Sequence, residues 1–423
     1  MTRTTRIPGM ALTDHTFVVP LDHSRPDGPT IEVFAREVVD PTAVDKDRPW
    51  LCFLQGGPGG KSPRPNRATG WLQRALRTHR VLLLDQRGTG RSTPVTPSLA
   101  ARTAPEELAH LLRHMRADAI VADAELIRRQ LCGDEPWETL GQSYGGFITL
   151  AYLSQAPEGL KSCYVTGGLI GLDASAEDVY HRTYPRVRAK NAEYYARYPG
   201  DVERVRRLAD HLAANDVRLP DGDRLTVRRL QFLGTPFGMG DGYERVHWML
   251  DEAWDGDRVS DTFRTAVMHA TALTDQPLWA VLQEPIYAQG KVATGWAAEK
   301  VRSGLPEFAE SADPLLFTGE MMYPWMFEEF GSLRPFREAA DLLARHDDWP
   351  VLYDVERLRE NTVPVAAAIY FDDMYVDADL SLETAKRVGN LRTWVTNEWE
   401  HDGSNVSGGA ILDRLIDMVA GKL

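Results

Sequence analysis

Two patterns of apolar residues follow one another in the first 172 residues of the chain. The segments HTFVVPL (15–21) and TIEVFAREV (30–38) alternate apolar and polar residues, as strands with one solvated face do. Four later segments are short and continuously apolar, which is typical of parallel strands buried on both faces: PWLCFLQ, RVLLLDQ, WETLGQS and SCYVTGG. Helical patterns at 118–132 and 144–155 lie between them. The order predicts a mostly parallel sheet flanked by helices.

The pattern changes after Gly171, where helical periodicity replaces the series of strands. Strand character returns in VPVAAAIYF and LRTWVTN, and the closing segment GGAILDRLIDMVAG is amphipathic. We therefore predict a sheet domain in two parts, residues 1–172 and 361–423. A mainly helical cap domain, residues 173–360, is inserted after the sixth predicted strand.

The composition is that of a globular protein and argues against several classes of partner. Hydrophobic residues make up 43% and charged residues 26% of the 423 positions, enough for a large core. A formal net charge of −13 repels phosphate backbones and anionic lipid, so neither nucleic acid nor a membrane is expected as a partner. The sequence has no signal-peptide pattern, and its three cysteines form no C-x-x-C pair. We expect a cytoplasmic protein without a metal site, and the sequence carries no signal for an oligomeric state.

The segment LQGGPGGKS (54–62) permits two interpretations. A phosphate-binding loop has the pattern G-x-x-x-x-G-K-[ST] and opens a helix, so that backbone N–H groups surround the phosphates. Residues 60–62 match its end, but Gln55 stands in place of the first glycine, and prolines at 63 and 65 oppose a helix. Nucleotide binding is therefore disfavoured. The alternative is a loop whose backbone approaches a substrate oxygen.

A serine nucleophile is predicted further along the chain. Residues 141–145, GQSYG, match the G-x-S-x-G pattern of a nucleophile elbow, in which the serine lies on a sharp turn between a strand and a helix. An apolar strand segment precedes the pattern and a helical segment follows it. Ser143 is therefore the predicted nucleophile, against the alternative of a serine in an ordinary glycine turn.

Such a serine needs a histidine base and an acid that orients the histidine, and in this fold class the acid precedes the histidine. His401 lies between the last predicted strand and the last helix, where the base is expected. The acid should follow the strand VPVAAAIYF, which leaves three candidates. We favour Asp373 over Asp372 and Asp377.

Acyl transfer also needs N–H donors for the oxyanion that forms during the reaction. One donor should be the amide of Tyr144, directly after the nucleophile. The other should come from GGPGG, where glycines let the backbone approach closely, and we predict Gly57.

Four motifs together resemble the proline iminopeptidases, which are serine peptidases of the α/β-hydrolase fold: GGPGG, DQRGTGRS, GQSYGG and EHDG. The resemblance covers residues 30–172 and 361 onward, and it is weaker in the insertion. The segments YFDD and EWEH depart from the usual family pattern near the acid and the histidine. The resemblance implies an α/β-hydrolase fold with a cap, no cofactor, and release of N-terminal proline from short peptides.

The resemblance also implies cap glutamates that pair with the free imino group of the substrate, because a buried cation needs a carboxylate partner. Glu284 and Glu320 are the candidates, Glu244 is a third, and the neighbouring rings of Trp279 and Tyr323 suit a pyrrolidine ring. The expected function is that of a metal-independent serine aminopeptidase. The alternatives are an α/β-hydrolase that acts on esters or another small substrate, and a non-catalytic binding protein on the same fold.

Overall fold

The computed structural model describes residues 4–44 and 46–423 of the protein. Its strands are β1 (Thr4–Ile7), β2 (Met10–Pro20), β3 (Thr30–Val39), β4 (Trp50–Leu54), β5 (Arg80–Leu84), β6 (Trp137–Gln142), β7 (Leu160–Thr166), β8 (Trp254–Asp255), β9 (Arg258–Val259), β10 (Val365–Tyr370) and β11 (Leu391–Thr396). Over the described residues, nine of them form one sheet in the order β1-β2-β3-β5-β4-β6-β7-β10-β11, and β8 and β9 form a separate hairpin.

The sheet is mostly parallel, as predicted. β1, β2 and β3 pair antiparallel, and β3 also pairs antiparallel with β5. Every pairing from β5 across to β11 is parallel. The patterning missed β1, so the insertion follows the seventh strand of the chain rather than the sixth.

Helices occupy the connections between strands. Those before the insertion are α1 (Gly70–Ala75), α2 (Pro97–Ala100), α3 (Pro105–Arg113), α4 (Ala117–Cys132) and α5 (Tyr144–Gln155). Those between β7 and β10 are α6 (Ala176–Arg197), α7 (Asp201–Ala214), α8 (Val227–Gln231), α9 (Gly242–Asp251), α10 (Asp261–Thr271), α11 (Pro277–Leu282), α12 (Ala297–Ser303), α13 (Met326–Glu329), α14 (Arg337–Arg345) and α15 (Val355–Arg359). The last are α16 (Ala378–Ala385), α17 (Gly403–Val406) and α18 (Ala410–Val419). None of the helices in the described ranges has the length and apolar character needed to cross a bilayer.

The continuously apolar strands bury both faces of the sheet. Leu51 and Phe53 of β4 point to one face, where they pack in an apolar cluster with residues of α1 and α18. Cys52 and Leu54 point to the other face, into a larger cluster that includes α4 and α5. Successive side chains of a strand alternate between faces, so both sets must be apolar when helices cover the sheet on both sides.

The insertion between β7 and β10 is largely helical, as predicted, apart from the two-residue strands β8 and β9. Its first long helix, α6, begins with a capping box in which Ser175 and Asp178 bind each other's backbone amides. Apolar residues of the insertion belong to the same cluster as those on one face of the sheet, for example Tyr194 and Phe317. The division into domains at residues 172 and 360 stays a prediction.

Candidate active site

Ser143 is the single residue between β6 and α5. Its backbone has φ 55° and ψ −124°, a strained conformation for a residue with a side chain. Two hydrogen bonds hold it there: its N–H donates to the Thr166 carbonyl at 2.9 Å, and its carbonyl accepts from the Gly146 N–H at 2.7 Å. A strained serine at a sharp strand-to-helix turn is the geometry of a nucleophile elbow.

Close backbone contacts explain the glycines of the GQSYGG segment. A Cβ atom placed on Gly141 would lie 2.4 Å from the carbonyl oxygen of Gly145. One placed on Gly145 would lie 1.9 Å from the carbonyl oxygen of Leu54, at the end of β4. Both separations are far shorter than van der Waals contact, so a side chain at either position would displace the turn that carries Ser143.

The structure brings Asp373 and His401 together at the carboxyl ends of β10 and β11. His401 Nδ1 lies 2.6 Å from Asp373 Oδ2, and both side chains are buried. The other oxygen, Asp373 Oδ1, accepts the backbone N–H groups of Tyr375 and Val376 at 2.8 and 3.1 Å. Asp373 therefore has a fixed orientation, and it fixes the His401 ring in turn.

The two alternative acids lie in different surroundings. Asp372 is exposed. Asp377 is buried, but it caps α16 by accepting the backbone amides of Asp379 and Leu380, and it pairs with Arg186 at 3.3 Å. Of the three candidates, Asp373 alone contacts His401 in the described part of the chain.

Opposing effects set the pKa of His401. Burial lowers it, because the charged imidazolium loses solvation. The negative charge of Asp373, the hydrogen bond to it and the charge of Glu320 act in the other direction, and on balance the pKa of His401 is raised above its usual value. The site therefore stabilises the protonated ring that forms when a base accepts a proton.

The turn after β7 packs against both the serine and the histidine. A Cβ atom placed on Gly167 would lie 3.1 Å from His401 Nδ1, and one placed on Gly168 would lie 2.3 Å from the Ser143 carbonyl oxygen. Ser143 and His401 thus pack against two adjacent glycines.

The GGPGG loop passes directly beside Ser143. A Cβ atom placed on Gly56 would lie 2.9 Å from the Ser143 Cβ, and Gly57 has φ 128°, which favours glycine. Within the described residues, the amides of Gly57 and Tyr144 donate no hydrogen bond to a protein acceptor. Two free N–H groups near the nucleophile are what an oxyanion requires.

The DQRGTGRS segment holds this loop in shape. The buried carboxylate of Asp85 accepts the N–H and the hydroxyl of Ser62 at 3.0 and 2.8 Å, and the N–H of Arg91 at 2.9 Å. Gln86 donates its side-chain amide to the Gln55 carbonyl at 2.8 Å. No helix follows Ser62 before Gly70, so the segment has none of the geometry of a phosphate-binding loop. Among the residues that the structure describes, no cluster of three or more His, Cys, Asp or Glu side chains suits a metal ion.

Comparisons with known proteins identify the family. Residues 49–273 match the sequence profile of the family described as alpha/beta hydrolase fold. The chain is 48% identical to a proline iminopeptidase of Aeromonas sobria, an alignment that covers 97% of both proteins. It is 37% identical to the proline iminopeptidase aneH of Aspergillus aculeatus, over 96% of this chain and 94% of that one. The chain belongs to the proline iminopeptidase family.

Both the family resemblance and the fold class expected from the four motifs are thereby confirmed. Among solved structures, VinJ aligns over 97% of this chain and 99% of its own, with 14% identity and a TM-score of 0.43, too distant to add to the assignment. The proline iminopeptidases are α/β-hydrolases, so the elbow at Ser143 and the order of acid and histidine fit the family's fold.

In this proline iminopeptidase, Glu320 lies near the predicted catalytic residues. Trp279 Nε1 donates to its Oε1 at 3.0 Å. Burial raises the pKa of Glu320 to about 7; the positive charge of His401 opposes the rise and the negative charge of Asp373 adds to it. Glu320 keeps part of its surface accessible although protein atoms surround it.

Glu284 has a different set of contacts. It is buried, and its two oxygens accept the backbone amides of Ala297 and Ala298 at 3.0 and 2.9 Å, at the start of α12. Burial raises its pKa to about 7 in spite of these hydrogen bonds. After burial, the charges of Glu284 and Glu320 both raise the pKa of Tyr180 and of Tyr287. The two glutamates therefore share a neighbourhood, but Glu284 already serves as a helix cap.

The other residues predicted for substrate binding in the cap domain also differ in their exposure and contacts. Trp279 is partly exposed and touches Glu320, whereas Tyr323 is buried and shares a 2.9 Å hydrogen bond with the hydroxyl of Tyr184. Glu244 lies elsewhere and pairs with Arg197 at 2.7 Å. Sequence reasoning did not identify Tyr375, whose ring packs 4.8 Å from that of His401. Its position two residues after the predicted acid was the only available signal.

Proposed function

We propose that this proline iminopeptidase releases N-terminal proline from short peptides through an acyl-enzyme formed on Ser143. The observation that carries the proposal is the position of Glu320, a carboxylate close enough to His401 for their charges to interact. In a substrate with N-terminal proline, the free imino nitrogen belongs to the same residue as the carbonyl that Ser143 attacks. A carboxylate that binds this nitrogen therefore has to lie near the catalytic residues, as Glu320 does. The names of the two similar relatives support the same substrate class.

In the first half-reaction, His401 accepts the proton of the Ser143 hydroxyl as its oxygen attacks the proline carbonyl carbon. Asp373 retains the Nδ1–H group of His401, which leaves Nε2 free to act as the base. The Gly57 and Tyr144 amides stabilise the resulting oxyanion. His401 then protonates the leaving amine, and the rest of the peptide departs.

In the second half-reaction, water replaces the peptide. His401 takes a proton from the water, the hydroxide attacks the prolyl ester of Ser143, and the same amides stabilise the second oxyanion. Collapse of this intermediate returns the proton to Ser143 and releases proline. Each residue acts in the same place in both halves.

Recognition of the imino group rests on Glu320. Burial raises the pKa of this carboxyl to about 7, so it titrates in the neutral range. A bound secondary ammonium favours the ionised form and supplies the positive charge that the buried carboxylate lacks. The indole N–H of Trp279 fixes the carboxylate.

A panel of chromogenic substrates tests the proposal. Proline anilide should be cleaved rapidly, alanine anilide slowly, and acetyl-proline anilide about 30- to 4,000-fold less efficiently in kcat/KM, since leaving one member of a buried charge pair alone costs about 2–5 kcal/mol. Ser143→Ala, which should lose about 10⁴–10⁶ in kcat while remaining folded, is the control for background hydrolysis. Equal rates on free and acetylated proline would favour an esterase or another small-molecule hydrolase instead.

A further inference from the structure

The two loops that carry Asp373 and His401 also contact the insertion. A 3₁₀ turn of the insertion, Phe232–Gly238, lies against both loops. The backbone N–H of His401 donates to the Gly238 carbonyl at 3.0 Å. Two residues further on, the Gly240 N–H donates to Asp402 Oδ1 at 3.1 Å. The backbone position of His401 therefore depends on a segment far from it in sequence.

Tyr375 makes the corresponding link from the Asp373 loop. Its backbone N–H donates to Asp373 Oδ1 at 2.8 Å, so the residue is tied directly to the predicted acid. Its hydroxyl donates to the Thr235 carbonyl at 2.6 Å and accepts the Gly238 N–H at 3.2 Å. Its ring packs against the His401 ring at an interplanar angle of 60°. Tyr375 is thus bonded to the acid at one end and to the 3₁₀ turn at the other.

Together these contacts form a closed circuit of hydrogen bonds. It runs from Asp373 to Tyr375, from Tyr375 to Gly238, from Gly238 to His401, and from His401 back to Asp373. The circuit leaves no room for a side chain at Gly238, because a Cβ atom there would lie 2.3 Å from the Tyr375 ring. The glycine is needed for the close approach.

We propose that Tyr375 and Gly238 are positioning residues, through which the inserted segment holds Asp373 and His401 in the alignment that catalysis needs. Neither residue is assigned contact with the reacting atoms; both act through the acid and the base. The proposal rests on the Ser143–His401–Asp373 assignment made above. It gives the insertion a second role beside substrate recognition, since the same unit that carries Glu320 also aligns the base.

Tyr375→Phe tests the proposal because it removes both hydroxyl hydrogen bonds and retains the ring against His401. Its matched control is Tyr195→Phe, which removes another buried hydroxyl that donates to a backbone carbonyl, that of Leu315 at 2.5 Å, away from the site. The measurements are kcat and KM on proline anilide, the rate of Ser143 labelling by diisopropyl fluorophosphate, the low-field proton resonance of His401 Nδ1–H, and the unfolding midpoint. Labelling by diisopropyl fluorophosphate does not involve a proline substrate, so its rate does not depend on substrate recognition.

We expect Tyr375→Phe to lower kcat and the labelling rate together by about 10- to 100-fold, as misplacement by about 1 Å does, with KM changed less than about threefold. The low-field resonance should shift or broaden. Tyr195→Phe should match the wild type in kcat, labelling rate and low-field resonance. Gly238→Ala should act like Tyr375→Phe. If Tyr375→Phe does not fold, Asp402→Ala, which removes the acceptor of the Gly240 amide, should show the same joint fall.

Wild-type kcat and labelling in folded Tyr375→Phe and Gly238→Ala would overturn the proposal. So would a rise in KM alone, because Tyr375 would then act on substrate binding. A fall equal to that of Tyr195→Phe would assign the effect to general stability and would also overturn it. A wild-type enzyme that is not labelled at Ser143 would instead contradict the proposed nucleophile, and the two failures are thereby distinguished.

Discussion

Asp373 holds the His401 ring through a carboxylate oxygen, and this contact separates it from the neighbouring carboxylate of Asp372. The Tyr375 and Val376 amides donate to Asp373 Oδ1, so an amide at position 373 would keep its oxygen there and turn its N–H toward His401 Nδ1, which favours the wrong tautomer. Asp373→Asn should therefore lower kcat by about 10⁴, as in other serine triads, with little change in fold. Asp372→Asn is the matched control, since the Asp372 carboxylate is exposed. It should stay within about threefold of the wild type because an exposed charge interacts weakly with its neighbours. A reversed ranking in steady-state assays would move the role to Asp372.

The pH dependence of kcat/KM should report two groups in the free enzyme. His401 must be neutral to accept the serine proton, and Glu320 must be ionised to bind the cationic substrate. The pKa of Glu320 is about 7 and that of His401 is raised above its usual value, so kcat/KM should climb through this region as pH increases. Because the groups interact, the two steps belong to the pair.

Glu320→Gln separates the two ionisations. The negative charge of Glu320 raises the pKa of His401, so its removal should shift the acidic limb of the profile to lower pH and reduce the limiting slope from two to one. The gap between free and acetylated proline substrates should narrow in the same variant. An acidic limb that is unchanged in position and slope in Glu320→Gln would separate Glu320 from both His401 and the substrate.

Because the DQRGTGRS segment hydrogen-bonds to residues on either side of the GGPGG loop, we expect it to affect catalysis through that loop. Asp85→Asn removes the charge that gathers Ser62, Arg64 and Arg91, and the loop that carries Gly57 should lose its fixed position. We expect about 10- to 1,000-fold loss in kcat, the cost of a displaced oxyanion donor, with a smaller change in KM. Ser62→Ala, which removes one hydroxyl from the same carboxylate, should be milder. Pre-steady-state acylation rates measure this, and an unchanged rate in folded Asp85→Asn would contradict it.

Periodicity predicted the strands of five or more residues and missed the three shorter ones. The segment 144–155 was predicted as a helix and matches α5, and the predicted 118–132 differs from α4 by one residue at its start. β1 spans four largely exposed residues, and β8 and β9 span two each, so apolar alternation had too few positions to appear. These strands form because longer neighbours provide their hydrogen-bonding partners.

The sequence indicated some residues of the candidate site but could not indicate the contacts of others. Ser143, Asp373 and His401 follow strand ends of a parallel sheet, and strand order brings such ends together, so chain position indicated Ser143 and His401 as candidates and limited the acid to three aspartates. Chain position could not predict the contacts of Glu284. Its carboxylate caps α12, which begins 13 residues later, and only the path of the intervening loop determines that contact. Tyr375 and Gly238 likewise meet across 137 positions of sequence.

The whole molecule shares one large apolar cluster between the sheet and the insertion. Leu54 and Val165 at the sheet and Tyr194 and Phe317 in the insertion belong to it. The buried Lys190 of α6 also pairs with Glu400, beside His401, at 2.6 Å. A sheet domain and a cap that share core and ion pairs should unfold together. We therefore predict a single thermal transition in which calorimetric and van't Hoff enthalpies agree.

Ligand binding should stabilise this single unit as a whole, because the proposed site takes Ser143 and His401 from the sheet and Glu320 and Trp279 from the insertion. Proline at 100 times its Kd should raise the free energy of unfolding by about 2.7 kcal/mol through mass action alone. Acetyl-proline at the same concentration lacks the cation and should shift the midpoint far less. Glu320→Gln should reduce the proline shift and leave the single transition intact. Two separate transitions, of which proline moved only one, would show that the insertion folds independently and that binding does not couple it to the sheet.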